Sequence, residues 1–272
     1  MSSRIARRFE LLRARGERAL VPFLTAGDPD LETSEALVEV MAGAGADIIE
    51  IGVPFSDPVA EGPTIQRASE RALAHGTSLR RILAMVARLR PKLDVPLVLM
   101  GYANPFFAMG EQGFAKAAAQ AGVDGVIVPD LPPEEGALFY GACREAGIDT
   151  ILLSAPTTTP ERMRMLAGAT RGFLYYVSLT GVTGARARLP DDLAAGVARA
   201  REAGEAPVCV GFGISTPEHA ARVGAVADGV VVGSALVERI EGAASRDEAI
   251  DAVERFVASL KAPLREAPPA AD

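Results

Sequence analysis

The sequence predicts a (β/α)8 barrel of the TIM type with an extra N-terminal helix, on three observations. Short apolar strands alternate with helical stretches eight times along the chain, and nearly every strand is a continuous Val/Ile/Leu run. A unit also recurs in which an alanine-rich helix ends in glycine just before a strand: GAGADIIEIGV, QAGVDGVIVPD, EAGIDTILLSA and GAVADGVVVGS. Strict alternation implies parallel strands, because each crossover returns the chain to the same end of the sheet. Continuous apolar runs imply strands buried on both faces. The 272 residues suit one barrel, a fold of typically about 250 residues.

Each element follows from local pattern. Near the N-terminus Ile5, Phe9 and Leu12 share one helical face, as expected of a cover over the N-terminal mouth of the barrel. Strands are predicted near residues 20–25, 48–53, 96–102, 125–129, 150–155, 172–178, 207–211 and 229–233. Helical periodicity marks 31–44, 79–89, 114–121, 134–146 and 193–203, a further helix opens after Thr216-Pro217, and a short one opens at Ser234. Ala249, Val253 and Val257 continue an apolar face on a last helix. The barrel domain is expected over residues 1–260, with 261–272 a flexible tail because APLREAPPAAD has a tail's composition.

Composition excludes several functions. A net charge of −7 without a basic stripe beyond the first helix opposes nucleic-acid binding. No apolar run approaches the length of a membrane span, and the arginine-rich N-terminus carries Glu10 and Glu17 without an apolar core, so a cytoplasmic protein is expected. Cys143 and Cys209 lie far apart without a CxxC and read as buried structural thiols. With His75 and His219 as the only histidines, no metal site is expected.

In barrels of this type the active site gathers at the C-terminal ends of the strands, and four places there carry chemistry. Glu50 interrupts an apolar strand, and the loop after it carries Asp57 and Glu61. A carboxylate so placed is costly unless paired or functional. Glycine turns follow the seventh strand, in VGFGIST, and the eighth, in VVVGSAL. They allow backbone N–H groups to approach an anion, and Ser234 would open a helix whose N-terminus attracts it. GFGIST lacks the third glycine of a dinucleotide fingerprint and no GxxxxGK[ST] occurs, so the phosphate belongs to a small substrate. The fourth place, LYYVSLTGVTGARARLP, joins a strand to a long loop with the length and glycines of a lid. The three lysines, Lys92, Lys116 and Lys261, fall away from strand ends, which excludes a Schiff base on this layout and leaves carboxylate acid–base catalysis.

From about Phe9 to Leu260 the chain resembles the tryptophan synthase α-subunit family, through VPFLTAGDPD, DIIEIGVPFSDPVAEGPTIQ, GYANP, PDLPPEE, LTGVTGA, GFGIST and VVGSA in that order. The resemblance implies retro-aldol cleavage of indole-3-glycerol phosphate to indole and glyceraldehyde 3-phosphate. Glu50 would be the main acid–base catalyst, and Glu61 would stabilise the ring N–H. Tyr175 would border the reacting centre, with Phe23, Met100 and Tyr102 lining the indole pocket and Tyr176 left to packing. Gly184, Gly213, Gly233 and Ser234 would bind phosphate through backbone N–H groups, and Thr183 would meet the loop carboxylate. Asp57 and Pro58, Asn104 and Pro105, and Leu131 and Pro132 would contact a β subunit in an α2β2 heterotetramer. Pyridoxal phosphate is expected on that partner, and no cofactor in this chain.

The sequence departs from the family at two places: Glu61 stands where the family has aspartate, and Leu179-Thr180 where many relatives have a basic residue and serine. Two alternatives share the same residues, a free-standing indole-3-glycerol phosphate lyase and a catalytically weak activator of the β subunit. Two other barrels of the pathway fit worse. Indole-glycerol-phosphate synthase needs a strand-end lysine, and phosphoribosylanthranilate isomerase needs a cysteine after the first strand.

Overall fold

The computed structural model describes residues 2–177, 192–211 and 213–265. In chain order the first half is α1 (Arg4–Ala14), β1 (Ala19–Thr25), α2 (Leu31–Gly43), β2 (Ile49–Gly52), α3 (Pro63–Ala74), α4 (Leu79–Leu89), β3 (Leu97–Met100), α5 (Ala103–Phe107), α6 (Glu111–Ala121) and β4 (Gly125–Ile127). The second half is α7 (Ala137–Glu145), β5 (Asp149–Ser154), α8 (Pro160–Ala169), β6 (Leu174–Val177), α9 (Leu193–Glu202), β7 (Val208–Gly211), α10 (Pro217–Gly224), β8 (Gly229–Val232), α11 (Ser234–Glu241) and α12 (Arg246–Lys261). The eight strands pair in sequence order, all parallel, and β8 closes onto β1. The predicted barrel and its strands are therefore present.

Strand alternation divides the apolar residues into two cores. Leu20, Leu24, Ile49, Ile51, Leu97 and Leu99 face outward and pack under the helices. Ala19, Val21, Ile48, Val98, Ile127, Ile151, Cys209 and Val231 fill the barrel interior. Helix α1 plugs the N-terminal mouth as its pattern predicted, because Ile5, Phe9 and Leu12 join that inner core. Phe9 lies 6.1 Å from Phe173, which lies 6.4 Å from Tyr175, so an aromatic column runs from the plug toward the opposite mouth. Both cysteines are buried free thiols.

The aspartate of the recurring unit has a structural task. Asp47 donates its N–H to the Leu20 carbonyl at 2.9 Å and accepts from the Leu20 N–H at 2.8 Å. Asp124 makes the same two-bond clasp on Leu97, and Asp228 on Val208. Each clasped aspartate also meets a cation: Lys261 for Asp47, Arg4 and Arg90 for Asp124, and Arg201 for Asp228. Asp149 in the third unit instead accepts from the Ser3 hydroxyl at 2.6 Å, which ties the start of α1 to the barrel. The strand starts at the N-terminal mouth are thus stitched to their neighbours by side chains, where ladder bonds run out.

Two expectations need correction. Lys261 is not tail: it is the last residue of α12, buried, and its Nζ reaches the Arg18 carbonyl at 3.0 Å, Asp47 at 2.9 Å and Glu17 at 3.1 Å. A turn at Ala262–Leu264 then buries Leu264 against the barrel, so packed structure runs past 260. Helices α3, α5 and α8 were also not anticipated. Two of them open with proline at the first position, Pro63 and Pro160, where the missing N–H costs nothing because that donor has no helical partner anyway.

Candidate active site

The C-terminal ends of the strands enclose a cavity of about 750 Å3, including its open mouth, walled by Phe23, Met100, Ile127, Leu153, Tyr175 and Val231. Its polar groups are few. Phe23 and Glu50 are register partners on β1 and β2, so both project into the barrel at the same height. Residue 52, two positions on, must be glycine: a β-carbon there would collide with the Phe23 ring.

Glu50 is 2% exposed, and its Oε2 has no hydrogen-bond partner among the described residues. Burial pushes its carboxyl up to about 8, and the nearby charge of Glu61 adds to the effect. Such a group is held protonated at neutral pH in the cavity wall, with one buried oxygen unsatisfied. Leaving a buried polar atom unpaired costs on the order of 1–3 kcal/mol, an expense typical of a site that awaits a ligand.

Glu61 hangs from the loop between β2 and α3 and is 5% exposed. The Tyr102 hydroxyl donates to Glu61 Oε2 and accepts from the Ala60 N–H at 2.8 Å. Burial raises the Glu61 carboxyl, the Tyr102 bond opposes that, and Asp130 adds to the rise. The Tyr102 ring stacks on Phe55, centroids 5.2 Å apart, so two aromatics from neighbouring loops fix the group that holds Glu61. Tyr102 was expected to line the ring pocket. It borders a side cavity together with Phe23, Met100, Phe55 and Glu61, and its hydroxyl acts on the carboxylate.

Tyr175 closes the opposite wall, with its hydroxyl in the space that a β-carbon on Gly211 would occupy. Burial drives that phenol well above its usual range, reinforced by Glu50, so it stays a neutral hydroxyl. Tyr176, on the other face of β6, packs in the outer core as expected.

The residues expected to bind phosphate meet the same cavity. Gly213, Gly233, Ser234 and Ala235 border the cavity. Gly213 adopts φ +79°, a conformation disfavoured for other residues. Ser234 opens α11, whose first-turn N–H groups lack helical partners by geometry and carry the positive end of the helix dipole.

The sequence pattern of the family described as "Tryptophan synthase alpha chain" matches residues 9–265. The chain belongs to the tryptophan synthase alpha chain family. Among relatives of that name, one from Geobacter sp. (strain M21) is 57% identical over 262 residues, covering 95% of this chain and 97% of the relative. Another, from Geobacter sulfurreducens, is 53% identical over 97% of this chain and 98% of the relative. Among solved structures, tryptophan synthase subunit alpha from Legionella pneumophila superposes with a TM-score of 0.90 at 40% identity, over 97% of this chain and 99% of that one. A Mycobacterium tuberculosis tryptophan synthase structure gives 0.90 at 38% identity, again over 97% and 99%.

Of the residues that this chain was expected to use, Phe23, Glu50, Glu61, Met100, Tyr175, Gly213, Gly233 and Ser234 border one cavity. Thr183 and Gly184, with the rest of the GVTGA motif, lie outside the described residues. Sequence reasoning missed Ile127, Leu153 and Val231 as walls, because an apolar residue on a barrel strand carries no sign of which layer it occupies, and it missed Ile65 because helix α3 was not anticipated. Of the surface residues, Asp57 and Asn104 are exposed, while Pro58, Pro105 and Pro132 are half-buried. Leu131 is the exception. It is buried in the outer core, and its carbonyl accepts the Tyr140 hydroxyl at 2.6 Å, so it shapes its loop instead of presenting a surface.

Proposed function

We propose that the chain cleaves the C3–C1′ bond of indole-3-glycerol phosphate as the α subunit of a tryptophan synthase, with Glu50 as acid and base. The carrying observation is the buried Glu50 carboxyl, with one oxygen unpaired in a cavity that also receives a second carboxylate, Glu61. Glu50 starts protonated, as its raised pKa of about 8 supports. Its proton passes to ring carbon C3 and creates an indolenine cation. Glu61, held by Tyr102, accepts the ring N–H and offsets the growing charge. The C3–C1′ bond then breaks and its electron pair returns to the ring, while the C1′ hydroxyl proton passes to Glu50 and the side chain leaves as the aldehyde. Glu50 ends protonated, so the cycle closes without a lysine or a cofactor in this chain.

The walls Phe23, Met100, Leu153 and Ile127 suit an indole ring, and Tyr175 borders the reacting carbon. The phosphate is assigned to Gly213, Gly233 and Ser234; the family resemblance adds Gly184 to this set and gives Thr183 a role with the loop carboxylate. General acid–base catalysis of this kind contributes typically about 10²- to 10⁴-fold.

A β subunit is the proposed partner, carrying pyridoxal phosphate and completing an α2β2 heterotetramer in the cytoplasm. The loops after β2, β3 and β4 share one side of the mouth and present Asp57, Pro58, Asn104, Pro105 and Pro132. Beside them Val59, Phe107 and Leu138 are 79%, 43% and 75% exposed, an apolar surface that a partner would cover. Among the described residues no helix is long and apolar enough to cross a membrane. Indole release from indole-3-glycerol phosphate, measured with and without an added β subunit, tests the reading. Release that rises on complex formation is expected. No indole in either arm would overturn it, and release with no co-elution on gel filtration would favour the free-standing lyase.

A further inference from the structure

Helices α3 and α11 both open at the cavity, α3 just after Glu61 and α11 at Ser234. Between them runs a polar ladder. The Thr64 hydroxyl donates to Glu238 at 3.2 Å, and Arg67 forks onto Glu241 at 2.8 and 2.7 Å. At the far end Arg71 reaches Glu241 at 2.8 Å and forks onto both oxygens of Asp28 at 2.7 and 2.9 Å. Asp28 is buried, in the loop leaving β1. Beneath the ladder, Ile65 and Ala68 pack with Val237 and Phe23.

We propose that Arg71 is a positioning residue that fixes the Glu61 carboxylate at the reacting centre by pinning the far end of α3 to Asp28 and Glu241. This rests on the reading of Glu61 given above. Helix α3 has 12 residues, a lever about 18 Å long, and its apolar packing on Val237, through Ile65 and Ala68, lies between Glu61 and Arg71. Releasing the Arg71 end lets the helix rock about that contact and displaces the residue at its start. A misplacement of about 1 Å can cost on the order of 10²-fold in rate. The Arg71 fork suits this task because two parallel bonds to one carboxylate fix direction as well as distance, which a lysine does not.

The test is a kinetic double-mutant cycle with indole-3-glycerol phosphate as substrate, on Arg71→Met, Glu61→Ala and the double variant, each checked for folding by circular dichroism. Arg71→Met is expected to lower kcat by about tenfold or more with KM changed less than about threefold. The double variant is expected to be no slower than Glu61→Ala alone, since an effect that acts through Glu61 vanishes with it. Loss in the double variant equal to the product of the two single losses would overturn the proposal, as would wild-type kcat in Arg71→Met when Glu61→Ala is slow. Wild-type kcat in Glu61→Ala would instead sink the role of Glu61 itself, and this proposal with it. Should Arg71→Met not fold, Glu241→Gln, which loosens the same clamp from its partly exposed side, replaces it in the cycle with the same outcomes.

Discussion

The hydroxyl of Tyr175 occupies the place where a β-carbon on residue 211 would stand. Glycine at the end of β7 therefore belongs to the cavity wall as much as to the turn after it. Gly211→Ala should force Tyr175 toward Glu50 or out of its rotamer, an overpacking that costs typically about 1–3 kcal/mol. Turnover should fall, and Tyr175→Phe should recover part of it by freeing that space. Thermal melts and lyase kinetics of the single and double variants check this, and the idea fails if removing the hydroxyl restores nothing.

Glu50→Gln should lower turnover by about 10²- to 10⁴-fold while leaving the shape of the site. In the wild type, kcat/KM should decline above the ionisation near 8, because the resting acid is then lost. Stability should move the other way on substitution. A carboxyl whose pKa rises from 4.5 unfolded to about 8 folded binds more protons when folded, so stability falls as pH climbs through that window. Glu50→Gln removes this loss. Its Tm should match the wild type near pH 4 and exceed it above pH 8, and equal melting curves at both pH values would contradict the buried protonated carboxyl.

Gly213→Asp should damage phosphate binding far more than folding. It places a charge where an anion is expected, on a residue at φ +79° that other side chains disfavour. Affinity for glycerol phosphate analogues, by calorimetry on the folded variant, should drop at least about tenfold. Retained affinity would move the phosphate elsewhere.

Lys261→Met tests the clasp at the closed end of the barrel. It leaves Asp47 buried without its cation, and breaking one side of a buried pair costs on the order of 3–5 kcal/mol. For a chain of this size that is about 10 °C in Tm. Asp47→Asn together with Lys261→Met should recover part of it, because the uncompensated charge is gone. A melting temperature unchanged in the single variant would show that the end of α12 is a dispensable tail after all.

The barrel was legible because parallel strands buried on both faces leave an unbroken apolar signature, and because the helix-glycine-aspartate unit marks the entry to four of the eight strands. The proposed catalytic carboxylate was legible for the opposite reason: Glu50 violates that signature. What the sequence concealed depends on distance across the fold. Tyr102 belongs to the loop after β3, yet its work is on Glu61 of the loop after β2. Arg71 meets Asp28, 43 residues earlier. Lys261 lies in a segment of tail-like composition, and only the closing of the barrel brings Asp47 and Glu17 to it. Such pairs have no spacing rule, whereas helical faces and strand runs do.

The last prediction concerns Glu61, which departs from the family's aspartate. Glutamate is longer by one methylene, and its carboxylate is anchored to Tyr102, itself stacked on Phe55. If Glu61 supports the ring N–H as positive charge develops, Glu61→Ala should lower turnover much more than substrate affinity, since the lost charge-assisted bond strengthens toward the transition state. Glu61→Gln keeps a hydrogen-bond acceptor but not the charge, and should fall nearly as far. Glu61→Asp keeps the charge but draws it back from Tyr102, and should rank between wild type and Ala. Tyr102→Phe gives the independent arm. It removes the anchor and leaves the carboxylate, so turnover should drop modestly in the Glu61 background and hardly at all once Glu61 is Ala. Lyase kinetics across these variants decide the matter, and an Ala variant as fast as the wild type would reduce Glu61 to a rim carboxylate and leave Glu50 acting alone.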